Sequence, residues 1–79
     1  MNTYELLIKI MDEVLGFPAD ELKENEDINL IEDGLIDSLS SVMIINEAEK
    51  RLGKKLDIRK MNPADFTSVE KIAAAIDAQ

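Results

Sequence analysis

Neither cysteine nor histidine occurs in the 79-residue chain. Those two absences remove a disulfide framework, a thiol nucleophile, a zinc site of the usual ligands and any histidine-based triad. Basic residues are scarce as well: 9 Lys and Arg stand against 17 Asp and Glu, a formal net charge of −8. Neutralising a phosphate backbone needs Lys and Arg in excess, so the balance argues against nucleic acid and against an anionic membrane surface. No long apolar run is present. Stretches such as Val42 to Ile45 fall far short of the ~20 apolar residues that span a bilayer. The start Met1-Asn2-Thr3-Tyr4-Glu5 has no basic segment followed by an apolar one, as a secretory leader would. The expectation is a cytoplasmic protein without membrane insertion.

What is present suits a small globular domain. Apolar residues make up 46% of the chain, too many for a disordered segment. The expected organisation is one domain over 1–79. A domain this small buries only about 60% of its unfolded surface, so a stability above ~3–5 kcal/mol would be unusual.

Three helices are legible. The first is predicted from Thr3 to Leu15, with Tyr4, Leu7, Ile10, Met11 and Val14 on one face, Asn2 as N-cap and Gly16 as stop. The second is predicted from Ser38 to Leu52, with Asp37 as N-cap, Lys50 and Arg51 in the last turn and Gly53 beyond it. Its core face is Ile44, Ile45, Ala48 and Leu52, with Val42 at the margin. The last helix is predicted from Ser68 to Asp77, opened by a Thr67-x-x-Glu70 capping box and buried through Val69, Ile72, Ala73 and Ile76. A short helical turn is expected at Asn62-Pro63-Ala64-Asp65.

Gly16 to Asp37 reads as one long connection without sustained periodicity, pinned by Leu22, Ile28, Leu30, Ile31, Leu35 and Ile36. Loops of this length in small domains are usually functional. The fold class is all-α: three main helices plus a short one, with a long loop after the first. No strand pattern or internal repeat competes.

Charge is segregated along the chain. Ten acids lie between Asp12 and Asp37 against one base, Lys23; six bases lie between Lys50 and Lys60 against one acid, Asp57. Such an arrangement either solvates the surface or steers partners carrying basic patches. A calcium loop fails in both registers. From Asp27, positions five and six are Ile31 and Glu32; from Asn29, position three is Ile31 and position twelve is Ser40, where oxygen ligands, a glycine and a glutamate are needed. No metal site is assigned.

The most informative stretch is Gly34-Leu35-Ile36-Asp37-Ser38-Leu39. It places a serine in the first turn of a helix, where free amides and the dipole favour an anion such as a phosphate ester. Ser38 is poorly equipped as a nucleophile in its own right, since the chain offers no base of the usual kind. Leu39, Met43 and Asn46 form a stripe apart from the core face, with Lys50 below, and Glu49 lies close by. Two apolar residues outside the core, one turn from Ser38, make a candidate docking patch.

This hexapeptide, with an acidic loop before it and a helix after it, resembles the attachment motif of the acyl carrier and peptidyl carrier protein superfamily. The similarity takes in the first helix, the long loop, D-S-L at the helix start, Arg51-Leu52-Gly53 at its end, the short helix and the capped last helix. It implies a four-helix carrier bundle in which Ser38 bears 4′-phosphopantetheine from coenzyme A, whose thiol carries acyl or aminoacyl groups as thioesters. It implies a carrier, not an enzyme. The partners implied are a phosphopantetheinyl transferase, which Asp37 helps to engage, an adenylating or acyltransferase loading enzyme, and downstream acyl-processing enzymes. Asp37, Leu39, Met43, Asn46 and Glu49 are the implied recognition residues, and a monomer is expected. Ile44, Ile58, Met61 and Phe66 either line a space for cargo between the helices or are plain core, the commoner role for such residues. Peptidyl carriers typically have G-G-x-S, where this chain has Ile36-Asp37-Ser38, and fatty-acid carriers have an acid after valine, where Met43 follows Val42. The G-L-I-D-S form and Asp65-Phe66-Thr67-Ser68 are similar to stand-alone carriers of the D-alanyl carrier type. The alternative is an acidic helical interaction module without a prosthetic group.

Overall fold

Asn2 starts the first helix. Its side-chain oxygen accepts from the Glu5 amide at 2.8 Å, satisfying one of the donors that a helix start leaves open, and α1 runs over Thr3–Leu15. At the other end the Gly16 amide donates to Asp12 and the Phe17 amide to Met11, closing the helix where the sequence places its stop. The computed structural model describes residues 2–24 and 28–79.

α1 is the hub of the molecule, packing against α2 (Ala19–Glu24), α3 (Ser38–Leu52) and α4 (Val69–Asp77). That position explains its buried set of Leu7, Ile8, Ile10 and Met11. Ile8, absent from the expected face, is covered because neighbours surround more than one side of the helix. Tyr4 and Val14 are only half-buried at the edge of the core. Each fully buried Leu or Ile contributes roughly 1.5–3 kcal/mol of transfer free energy.

The connection between Gly16 and Asp37 contains a helix that periodicity did not reveal. α2 has six residues and one buried side chain, Leu22, too little for a 3.6-residue pattern to show. Local chemistry builds it: Pro18 precedes it, Asp20 and Glu21 sit in the first turn, and Lys23 sits in the last. Lys23 Nζ also meets Glu5 Oε2 at 3.2 Å across α1.

Two 3-10 turns, Ile58–Lys60 and Pro63–Phe66, follow α3. The second is the expected short element at Asn62 to Asp65, though tighter than an α-helix, with the Asn62 amide donating to Asp65 Oδ2 at 2.8 Å. The first was not expected; Asp57 nucleates it by accepting from the Arg59 amide at 3.0 Å. α4 begins one residue later than the capping box predicts. Ser68, not Thr67, is the cap and accepts from the Lys71 amide at 3.1 Å. The Thr67 hydroxyl instead donates to the Ala64 carbonyl and closes the preceding turn. The predicted α4 face of Val69, Ile72, Ala73 and Ile76 is wholly buried.

The described residues are all-helical, with four α-helices and no strand. Among them, no helix is long and apolar enough to cross a membrane.

Candidate functional site

Leu30 anchors the loop that delivers Ser38. Its side chain is fully buried, its amide donates to the Thr67 carbonyl at 2.8 Å, and its own carbonyl accepts from Leu35 and Ile36. Ile36 is buried beside it, Ile28 and Leu35 are half-buried, and Ile31 points outward with 40% of its surface exposed. The loop turns at Gly34, whose φ of 77° lies in the left-handed region and whose amide donates to Ile31. A side chain is strained there, which is a physical reason for glycine four residues before the serine.

Asn29 and Asp33 are occupied in the same loop. Asn29 Oδ1 accepts from the Ile31 and Glu32 amides, and Asp33 Oδ2 accepts from the Asn29 amide at 3.0 Å. Their oxygens hold a turn, and no group of three metal-capable side chains forms among the described residues. The calcium register opening at Asp27, with Asn25 and Glu26 before it, lies outside the described residues.

Asp37 caps α3 as expected. Its Oδ1 accepts from the Ser40 amide at 2.9 Å, and its carbonyl accepts from the Ser41 amide and, at 2.8 Å, from the Ser41 hydroxyl. The bond from the Ser40 amide is the main reason its carboxyl titrates below the ordinary aspartate value. Three serines crowd this turn and differ in exposure. Ser41 is buried and bonded to Asp37, and Ser40 is half-buried. Ser38 is exposed, and its hydroxyl has no hydrogen-bond partner among the described residues.

Beside Ser38 opens a cavity of about 700 Å³. Ile36, Val42, Ile58, Met61 and Phe66 form its apolar walls, and Ser38, Ser41 and Asp37 stand on its polar side. Three of the four expected lining residues are there. Ile44 is not, because it lies fully buried in the core. Val42 takes its place: it stands one helical turn after Ser38 and is 40% exposed, so it faces the mouth and not the core margin. That i, i+4 relation to Ser38 was the available signal.

The predicted recognition residues lie along α3. Leu39 is 70% exposed and Met43 40% exposed; Asn46 is exposed and Glu49 half-buried. Leu52 is exposed too, not part of the core face as expected. Ser41 completes that face with Ile44, Ile45 and Ala48, one turn toward the N-terminus.

A half-open apolar cavity, a free serine hydroxyl at its rim and a capped helix start suit a flexible phosphodiester-linked arm. The chain belongs to the family described as phosphopantetheine attachment site, whose model matches residues 5–76. Members of this family bear a covalent 4′-phosphopantetheine and act as carriers that other enzymes modify and load; they are not themselves catalysts. The chain is 31% identical to the D-alanyl carrier protein of Enterococcus faecalis, over 99% of this chain and 97% of that protein. It is 33% identical to the D-alanyl carrier protein of Lactococcus lactis subsp. lactis, covering 91% and 89%. With the Listeria monocytogenes D-alanyl carrier protein it shares 27% identity, covering 94% and 92%. No solved structure matches the chain significantly. Nothing in these comparisons favours a module without a prosthetic group.

Proposed function

We propose that Ser38 is the phosphopantetheine attachment residue of a one-domain carrier spanning 1–79, and that its cargo is an aminoacyl group. The observation that carries the site is the Ser38 hydroxyl, exposed and without a hydrogen-bond partner among the described residues, while Ser40 is half-buried and Ser41 is buried and bonded to Asp37. When bound, the arm supplies a terminal thiol that holds the cargo as a thioester. The chain's own residues do the rest.

The start of α3 offers a positive dipole end to the phosphodiester. Asp37 is committed to the Ser40 amide, so it is not positioned as a base, and proton removal from Ser38 falls to the modifying transferase. Its exposed carboxylate edge is available to that enzyme and its magnesium. Leu39 and Met43, with Asn46 and Glu49 further along α3, form the surface that a loading enzyme reads. Apolar contact near the serine sets orientation, and the small area suits a complex that must dissociate after each step. The relatives' names make D-alanine the cargo to test first, activated by an adenylating enzyme. Attachment of the arm draws on coenzyme A, which supports a cytoplasmic location.

Incubation with coenzyme A, magnesium and a broad-specificity phosphopantetheinyl transferase tests the reading by intact mass. A gain of one phosphopantetheine is expected, and none with Ser38→Ala. An unmodified wild-type chain would overturn it. On the phosphopantetheine-bearing form, before it is charged with cargo, Met43→Glu is expected to reduce kcat/KM for D-alanine loading about tenfold by placing a charge where an apolar contact forms.

A further inference from the structure

Six of the nine basic residues fall between Lys50 and Lys60, and four of them, Lys50, Arg51, Lys54 and Lys55, lie in the last turn of α3 or just beyond it, which makes that end basic in a chain of net charge −8. Two of the six are engaged: Arg51 by Glu13 and Glu47, and Arg59 by Asp57. Lys50, Lys54, Lys55 and Lys60 are exposed and make no ion pair among the described residues. The helix dipole accounts for cations in its last turn, at Lys50 and Arg51. It does not account for Lys54 and Lys55, which lie beyond the helix.

Gly53 places these side chains together. Its φ of 66° reverses the chain after α3 while its amide donates to the Glu49 carbonyl, a conformation that favours glycine. Lys50, Lys54 and Lys55 then surround a shallow concavity of about 320 Å³, with Glu49 and Gly53 completing it. Glu49 is half-buried and is the one acid on that lining. Lys50 is also the last member of the stripe Leu39, Met43, Asn46, Lys50. One exposed face of α3 therefore runs from apolar at Ser38 to basic at Gly53.

Distance decides whether the overall negative charge matters there. Lys50 lies twelve residues beyond Ser38, about 18 Å along a helix. Exposed charges are screened over ~8 Å at physiological ionic strength, so the acids beside Ser38 do not cancel the field at Lys50, and Glu13 of α1, which does reach this end, is taken up by Arg51.

We infer that the loading partner docks with an apolar surface on Leu39 and Met43 and an acidic protein surface on Lys50, Lys54 and Lys55. This rests on the carrier reading of Ser38 and assigns the partner's charge. The acidic loop then meets basic partners at one end of α3, and the lysines meet an acidic one at the other. Partners with different charge patterns are sorted along a single helix.

The test is a titration of the ¹⁵N-labelled full chain with an amphipathic helical peptide of leucine and glutamate, followed by amide shifts. A scrambled peptide of the same composition, and vesicles of phosphatidylglycerol and phosphatidylcholine, serve as comparisons. Saturable shifts confined to the α3 face between Leu39 and Lys55 are expected, absent with the scrambled peptide. Lys50→Gln/Lys54→Glu/Lys55→Glu is expected to bind about tenfold more weakly, a difference that shrinks at about 0.5 M salt. The triple Lys→Arg variant keeps the charge and is expected to bind as the parent does. Shifts located elsewhere, equal binding by the charge-altered variant, or binding to vesicles in place of peptide would each overturn the assignment. Intact mass after transferase treatment is measured separately on the parent chain: failure there sinks the carrier reading, whereas failure of the peptide arm alone sinks only the acidic-partner surface.

Discussion

At Asp37 one carboxylate sets the geometry of the whole site. It accepts from the Ser40 amide, its carbonyl receives Ser41, and Ser38 is left free by these commitments. Because its carboxyl titrates below the ordinary aspartate value, the charged form is favoured in the folded state. Its contribution to stability is therefore present above the unfolded aspartate value of about 3.9 and is lost as pH falls through the lower folded value. Asp57, lowered chiefly by its bond with the Arg59 side chain, titrates in the same direction, so a comparison is needed to isolate Asp37. Asp37→Asn keeps a capping oxygen without the charge. Denaturant unfolding at a series of pH values should show the variant less stable than the parent at neutral pH, with the gap closing in acid; a gap independent of pH would contradict the assignment. Asp37 and Ser38 were legible because a short acid followed by a serine before an apolar-periodic run is a local signal. Val42 and Ile31 were not, since their exposure depends on how α3 and the loop lie against the 3-10 turns.

Helix boundaries were also written locally. Asn2, Gly16, Asp37 and Gly53 all act where their chemistry placed them. The fault at α4 came from two adjacent hydroxyls, Thr67 and Ser68, either of which satisfies a capping pattern. The choice is made by the turn before it: Thr67 is consumed by the Ala64 carbonyl, leaving Ser68 to cap. Ser68→Ala should cost about 1 kcal/mol, or a melting temperature lower by about 4–8 °C in a domain of this size, and Thr67→Ala clearly less. A larger loss from Thr67→Ala would reverse the assignment. α2 escaped notice because one buried leucine in six residues carries no period. Leu52 was misplaced because helical spacing continues to the end of α3, whereas burial stops at Ala48.

Across the whole molecule, net charge says less than its placement. A value of −8 argues against polyanionic partners only on average, and Lys50 near the end of α3 lies about 18 Å along the helix from Ser38, about two Debye lengths. In the proposed docking, charge of this kind acts mainly on encounter, while Leu39 and Met43 act on the docked complex. Added salt should therefore lower the association rate with the modifying transferase more than it raises the dissociation rate, measurable by stopped-flow fluorescence. Equal effects on both rates would count against that division. The lack of cysteine also gains a meaning: in a phosphopantetheine carrier the arm brings the only thiol, and no side chain of the chain competes with it.

Three serines lie within one turn of α3, and the account turns on their being chemically distinct. Fragmentation of the transferase-modified protein by tandem mass spectrometry locates the added group residue by residue. It should lie on Ser38 alone, with Ser40 and Ser41 unmodified even after prolonged incubation. A group found on Ser40 or Ser41, or on no serine of this turn, would contradict the claim that the fold singles out Ser38.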